Sequence, residues 1–333
     1  MNFKVCILSS LVFFLLAGCY TKREYYEPEN VSSNISFTNS LDSAIHQTSK
    51  YGAVLKNGSI LLKNGKIIEL DLPKDDNFLG EYQGKLLVAS IDGSFKVLVD
   101  KDVYYTNKFA THIVSASIND NHLAALSADN TIYLIDMISD KILLEYNVGA
   151  AYAIDAKMAN PIFLSSIIVY PTLDGKIMIV DRDSGRILRD AVVSSEPFFN
   201  NIIFLDLLAD KMFAASATKF MSIAPDGVKH YDGQIKDVLI YAGRIYIFLK
   251  DGMVEILDLE LNKMGSQNFK FAIFAGVIPK DDKLYIFEKT GYMFITDLDL
   301  QNAQIVKLDS EISKKSFTGA NAFYYDNEIL ELK

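Results

Sequence analysis

From about residue 51 onward, short apolar runs alternate with polar two-residue turn signals. Asn64-Gly65 is followed by KIIEL and Asp71, Asp129-Asn130 by TIYLI and Asp136, and Asp174-Gly175 by KIMIV and Asp181. Asp251-Gly252 leads into MVEIL and Asp258, and Thr290-Gly291 into YMFIT and Asp297. In all five the Asp stands six residues after the second turn residue; a sixth copy, Asp92-Gly93 to Asp100, slips by one. A second β-rich run precedes the turns, as in Lys85–Val88, Ser166–Val169, Arg244–Phe248 and Lys283–Phe287. Two such runs around Asn-Gly or Asp-Gly predict a β-hairpin, because these residues accept the positive φ that tight hairpin turns demand. The trailing Asp is expected to cap the next turn by accepting a backbone N–H two residues on.

The spacing of the turns sets the architecture. The step from Gly175 to Gly252 is about double the others, and Lys211–Ala215 followed by Lys219–Ile223 supplies a degraded copy between them. Seven hairpins result, at a mean spacing of about 38 residues, which suits a four-stranded antiparallel blade. The expected fold is all-β: a β-propeller, with seven blades as the leading count. Phe323–Leu332 (FYYDNEILEL) reads as half of one more copy. Its missing strands are expected from the N-terminal side, near Ala53–Leu55 or Ile60–Leu62. That junction closes the ring and removes edge strands; if the tail and N-terminal strands form their own blade, the count is eight. Continuous apolar runs such as Ile177–Val180 fit blades covered on both faces. A parallel β-helix has shorter rungs, a pair of sandwiches does not keep one spacing, and no long segment carries a helical period.

Composition narrows the function. The chain has 333 residues, half of them hydrophobic, with 33 Lys and Arg against 42 Asp and Glu and a net charge of −9. This excludes a mostly disordered chain and argues against a nucleic-acid partner, which needs a basic surface. The four His are scattered, so no metal site is expected. Two Cys make no disulfide scaffold.

The first nineteen residues, MNFKVCILSSLVFFLLAGC, carry a basic Lys4, an apolar run and Leu16-Ala17-Gly18-Cys19. The run is short for a transmembrane helix, and its end resembles the lipobox of bacterial lipoproteins. The resemblance implies a signal peptide over 1–18, loss of Cys6, and acylation of Cys19. Tyr20 at the second mature position implies sorting to the periplasmic face of the outer membrane. Residues 19–50, rich in Ser, Asn, Thr, Glu and Lys, are expected to be a lipidated flexible tether, and 51–333 a single propeller domain.

Asp174-Gly175-KIMIV-Asp181-RDS-Gly185-RIL resembles the PQQ-like propeller repeat. Joined to a lipobox, the chain is similar to the propeller lipoproteins that form the B component of the outer-membrane β-barrel assembly (BAM) machine. Family repeats place a Trp after the Gly turn; here Leu144 and Arg189 stand near that place and the chain has no Trp. The assembly lipoproteins are usually eight-bladed and dock through loops between central blades. Ala150–Pro161 and Phe198–Ile203 occupy comparable positions. Within them Tyr152, Ile154, Lys157, Phe198 and Phe199 are the candidate partner-binding residues, as aromatic and aliphatic anchors plus a base suit an interface.

Enzyme chemistry finds no foothold. PQQ dehydrogenases stack a Trp on the quinone and carry a Cys pair, and the mature chain has neither, so no cofactor is expected. There is no phosphate loop, G-x-S-x-G elbow or H-E-x-x-H motif. Asp75-Asp76 and Asp281-Asp282 read as solvated turns. The expectation is a non-enzymatic scaffold binding other envelope proteins, with the BAM machinery as the partner the resemblance implies, in outer-membrane protein assembly. The alternative is a ligand-binding or degraded catalytic propeller that takes a glycan or small molecule in its channel.

Overall fold

The computed structural model describes residues 24–332, so Cys19 and the expected signal peptide lie outside the described residues. The chain forms eight antiparallel sheets in sequence order, over residues 45–68, 76–108, 113–147, 162–192, 204–232, 235–268, 274–308 and 316–331. Among the described residues there is no helix. These sheets are the blades of a propeller, here blades 1 to 8.

Eight is the count that the tail left open; seven was one short. The difference lies in the last blade. Its three chain-end strands, Ser316–Thr318, Ala322–Tyr325 and Glu328–Glu331, take their fourth from β2 (Asn39–Ser40), which pairs antiparallel with Glu328–Ile329. Ala53–Leu55 and Ile60–Leu62, the expected donors, belong to blade 1. β1 (Ser33–Ile35) adds a fifth strand, parallel, to the outer edge of blade 7 at Val306–Leu308.

The expected tether therefore carries three strands of the ring, counting Ile45–Thr48 of blade 1. Tyr26 is buried, edge-on to Tyr292 and Phe294 with ring centroids 5.7 and 5.0 Å apart. Leu41 is buried between blades 8 and 1. The polar composition of this segment hides these anchors because one apolar residue in several suffices for an edge strand.

Eight apolar clusters fill the eight wedges between blades, one per neighbouring pair. This two-sided burial explains the continuous apolar runs. Phe and Tyr replace the absent Trp: Phe287 stacks on Phe323 at 3.9 Å and Phe269 on Phe294 at 4.2 Å. Leu144 lies against the cluster between blades 3 and 4.

The repeated turns behave as their residues dictate. Gly252 has φ +94°, and a Cβ there would lie 2.2 Å from the Phe269 carbonyl oxygen, so only glycine fits. Asn130, the one Asn in that place, keeps φ +64° and uses its side chain to hold blade 3 to blade 4. It donates to Asp174 Oδ1 and accepts from the Leu173 N–H. The trailing Asp residues cap the turn after the third strand. Asp136 accepts from Ile138, Asp258 from Glu260 and Asn262, and Asp297 from Asp299 and Gln301.

Two details differ from expectation. Asn64-Gly65 joins the third and fourth strands of blade 1, whose counterpart of the other turns is Asn57-Gly58. Asp76 is buried at the start of blade 2 and pairs with Lys96 at 3.3 Å, instead of standing in a solvated turn. Asp281 and Asp282 do form a turn, both at positive φ.

Candidate functional site

An up-and-down blade puts the turn between its first and second strands on one face of the ring. The turn between second and third strands, and the connections between blades, fall on the other. Two of these connections are long: 148–161, between blades 3 and 4, and 193–203, between blades 4 and 5. They hold all five candidate residues.

The two connections are bonded to each other. The Phe199 N–H donates to the Ala153 carbonyl at 2.6 Å, and the Ala159 N–H to the Ile202 carbonyl at 3.1 Å. Asn201, fully buried, is the clamp. Its Oδ1 accepts the Asp155 N–H at 2.6 Å, and its Nδ2 donates to the Lys157 carbonyl at 2.8 Å. Asn200 ties the second connection to the Asp174 turn through Nδ2 contacts with the Asp174 and Ser194 carbonyls. Backbone groups of two irregular segments are thereby satisfied without a sheet.

This lock sorts the candidates into two groups. Tyr152 is 81% exposed, Phe198 58% and Phe199 53%. Phe199 is held at φ +54°, in the left-handed region. These three rings stand on one paired-loop surface. Ile154 is half-buried against the core between blades 3 and 4. Lys157 turns into the central channel instead of joining the aromatic surface. Its Nζ donates to Asp237 Oδ2 at 2.6 Å and to the Lys236 carbonyl at 3.1 Å, reaching from the blade 3–4 connection to the inner strand of blade 6.

Charges are concentrated along the channel. Burial opposes the Asp237 charge, but the Lys157 ammonium and the Val238 N–H outweigh it, and the Asp237 pKa falls below its ordinary value. Burial lowers the Lys236 pKa, and Lys157 adds to that. Burial likewise lowers Lys50, which sits 4.4 Å over the Phe204 ring.

On the opposite face the channel widens into a funnel of about 460 Å³. Asn160, buried, organises its wall. Its N–H donates to Tyr51 Oη at 3.1 Å, and its Nδ2 to Tyr82 Oη and the Leu79 carbonyl, both at 2.8 Å. Burial pushes the Tyr51 phenol up to about 12 and raises Tyr82 as well. Among the described residues no cluster of His, Cys, Asp and Glu could hold a metal ion. Asn160, Asn201 and Asp237 gave no signal in the sequence, since isolated polar residues acquire their roles only through contacts between blades.

No protein-family model matches the chain. It is 28% identical to the plasminogen-binding protein PgbB of Helicobacter pylori strain J99, over 98% of this chain and 70% of that protein. The PgbB of strain 26695 is 27% identical over 99% of this chain. Among solved structures, BamB from Moraxella catarrhalis superposes with a TM-score of 0.68 at 15% identity, covering 89% of this chain and 99% of that one. The chain shares that propeller fold. Its fold is the eight-bladed, BamB-like β-propeller, with paired inter-blade loops presenting aromatic side chains on one face.

Proposed function

We propose that this chain is a non-enzymatic, lipid-anchored scaffold that binds envelope proteins at the periplasmic face of the outer membrane and serves outer-membrane protein assembly. The observation that carries the reading is the paired-loop surface. Tyr152, Phe198 and Phe199 are large, exposed rings on a backbone already fixed by Asn201 and by the Phe199–Ala153 hydrogen bond. Rigid aromatic anchors bind at low entropic cost, which is why such rings dominate interface energetics. The fold shared with BamB and the residues Leu16–Cys19 support the assembly role and the anchor.

The test is affinity purification of the full chain from detergent-solubilised envelope. Barrel-assembly components should co-purify with the wild type and be lost with the Tyr152→Ala/Phe198→Ala variant. Recovery of no envelope protein with either overturns the reading. Cys19→Ala should abolish palmitate labelling and release the chain from membranes; persistent labelling refutes the anchor.

A second reading has its own support: similarity to PgbB extends over nearly the whole chain. On that reading the same propeller binds plasminogen at the cell surface. Saturable plasminogen binding by intact cells, with no barrel-assembly component in the purification, selects it over the first.

A further inference from the structure

The funnel opens on the face opposite the paired loops and plays no part in the reading above. Its wall is built from the inner-strand ends and first turns of blades 1 to 5, including Tyr51, Tyr82, Ser117, Asn160, Phe163 and Asp206. The Lys157–Asp237 bridge spans the channel beyond it. A space of about 460 Å³ lies within the range of small-molecule sites.

The donors in the wall are unusually well prepared. Asn160 supplies N–H groups to both phenol oxygens. The Tyr82 hydroxyl is directed at the Tyr51 oxygen, and Tyr51, which accepts at oxygen, keeps its own proton to donate. Burial raises both phenol pKa values, so the protons stay on. Ser117 lines the funnel, is 1% exposed, and its hydroxyl has no hydrogen-bond partner among the described residues. A buried hydroxyl without a partner is costly, and a ligand acceptor removes that cost. Lys50 makes no ion pair among the described residues and is held over the Phe204 ring at 4.4 Å. Its exposed ammonium is available to an anion in the funnel.

On the blade 5 wall, Asp206 is exposed to the funnel and is an acceptor. Gln83 accepts from the Asp120 N–H at Oε1 and gives one amide hydrogen to the Asp120 carboxylate, so a second amide hydrogen remains to donate. The funnel therefore offers one cation and several hydroxyl and amide donors near one carboxylate and the aromatic Phe163. Such a set complements a small polyhydroxylated acid: its carboxylate meets Lys50 and the Tyr51 phenol, and its hydroxyls meet Asp206 and Gln83. We infer that the funnel is a binding site for an acidic saccharide of one or two rings.

The test uses the full chain purified in detergent, titrated calorimetrically with D-glucuronate and with N-acetylmuramate, and with methyl glucoside as the neutral control. The acids should bind saturably and at least tenfold more tightly than methyl glucoside. Lys50→Met should weaken them about tenfold or more, the range of a charged hydrogen bond. Tyr51→Phe and Tyr82→Phe, which keep the rings, should weaken them several-fold in a chain that still unfolds cooperatively, at a melting temperature lowered by the lost Asn160 contacts. Lack of saturation by either acid up to about 10 mM, equal affinity for methyl glucoside, or unchanged binding in Lys50→Met overturns the inference. Binding of envelope proteins by the paired loops is unaffected by either result.

Discussion

Lys157 and Asp237 meet across the central channel at 2.6 Å, although eighty positions separate them in the chain. The contact exists because Asn201 fixes the 155–158 turn from a neighbouring connection. The pair joins blade 4's entry loop to blade 6 and ties the geometry of the aromatic surface to that of the channel.

Removing one partner should cost more than removing both. Lys157→Met leaves a carboxylate among protein atoms and should destabilise by about 1–2 kcal/mol, a moderate value because both side chains remain partly wetted. Lys157→Met/Asp237→Asn should recover part of that loss in denaturant unfolding. The pH sign follows from the lowered Asp237 pKa. A depressed native pKa contributes stability above the unfolded value, near 3.8, that disappears as pH falls through the native value. The difference between wild type and Lys157→Met should therefore shrink below about pH 4.

Asn201→Ala should remove the clamp and strand the backbone groups of residues 155 and 157. A loss of about 2–4 kcal/mol is expected. Amide exchange over 148–161 should accelerate while the inner strands of blades 6 and 7 stay protected. Unchanged exchange in that connection contradicts the role given to Asn201.

Ring closure depends on a residue that the composition placed in a tether. Leu41→Ala should destabilise by about 2–3 kcal/mol, as for other buried leucines. The exposed Val31, in the same segment, should tolerate Ala within about 0.5 kcal/mol. Equal effects at the two positions mean that residues 24–44 do not close the ring.

The hairpin rhythm was legible because turn residues answer to local demands: positive φ at Gly175 or Gly252 is a property of a few atoms around one residue. Closure was not, because blade 8 joins Asn39–Ser40 to Glu328–Ile329 across the whole chain, and a two-residue strand has no period to detect. Blade 1 misled for a related reason. Both of its later turns are Asn-Gly, at 57–58 and 64–65, so sequence alone does not say which one matches the other blades. At the site, Tyr152 and Phe198 stood out as rings in polar surroundings and are exposed. Lys157 read as the same kind of surface residue, but its direction is set by Asn201, more than forty residues away.

Phe199 separates backbone from contact. At φ +54° its ring is carried at a cost that glycine avoids. Phe199→Gly should keep or slightly raise the melting temperature while weakening partner capture. A fall in both together assigns Phe199 to folding instead of binding.

The most direct measurement is site-specific photo-crosslinking in living cells. A photoreactive phenylalanine analogue is placed at Tyr152, at Phe198 and, as control, at Met264, which is about as exposed as Phe198 and lies on the outer strand of blade 6. A discrete protein adduct from positions 152 and 198, absent at 264, is the expected result. No adduct from either loop position, or the same adducts from all three, contradicts a binding surface on the paired loops.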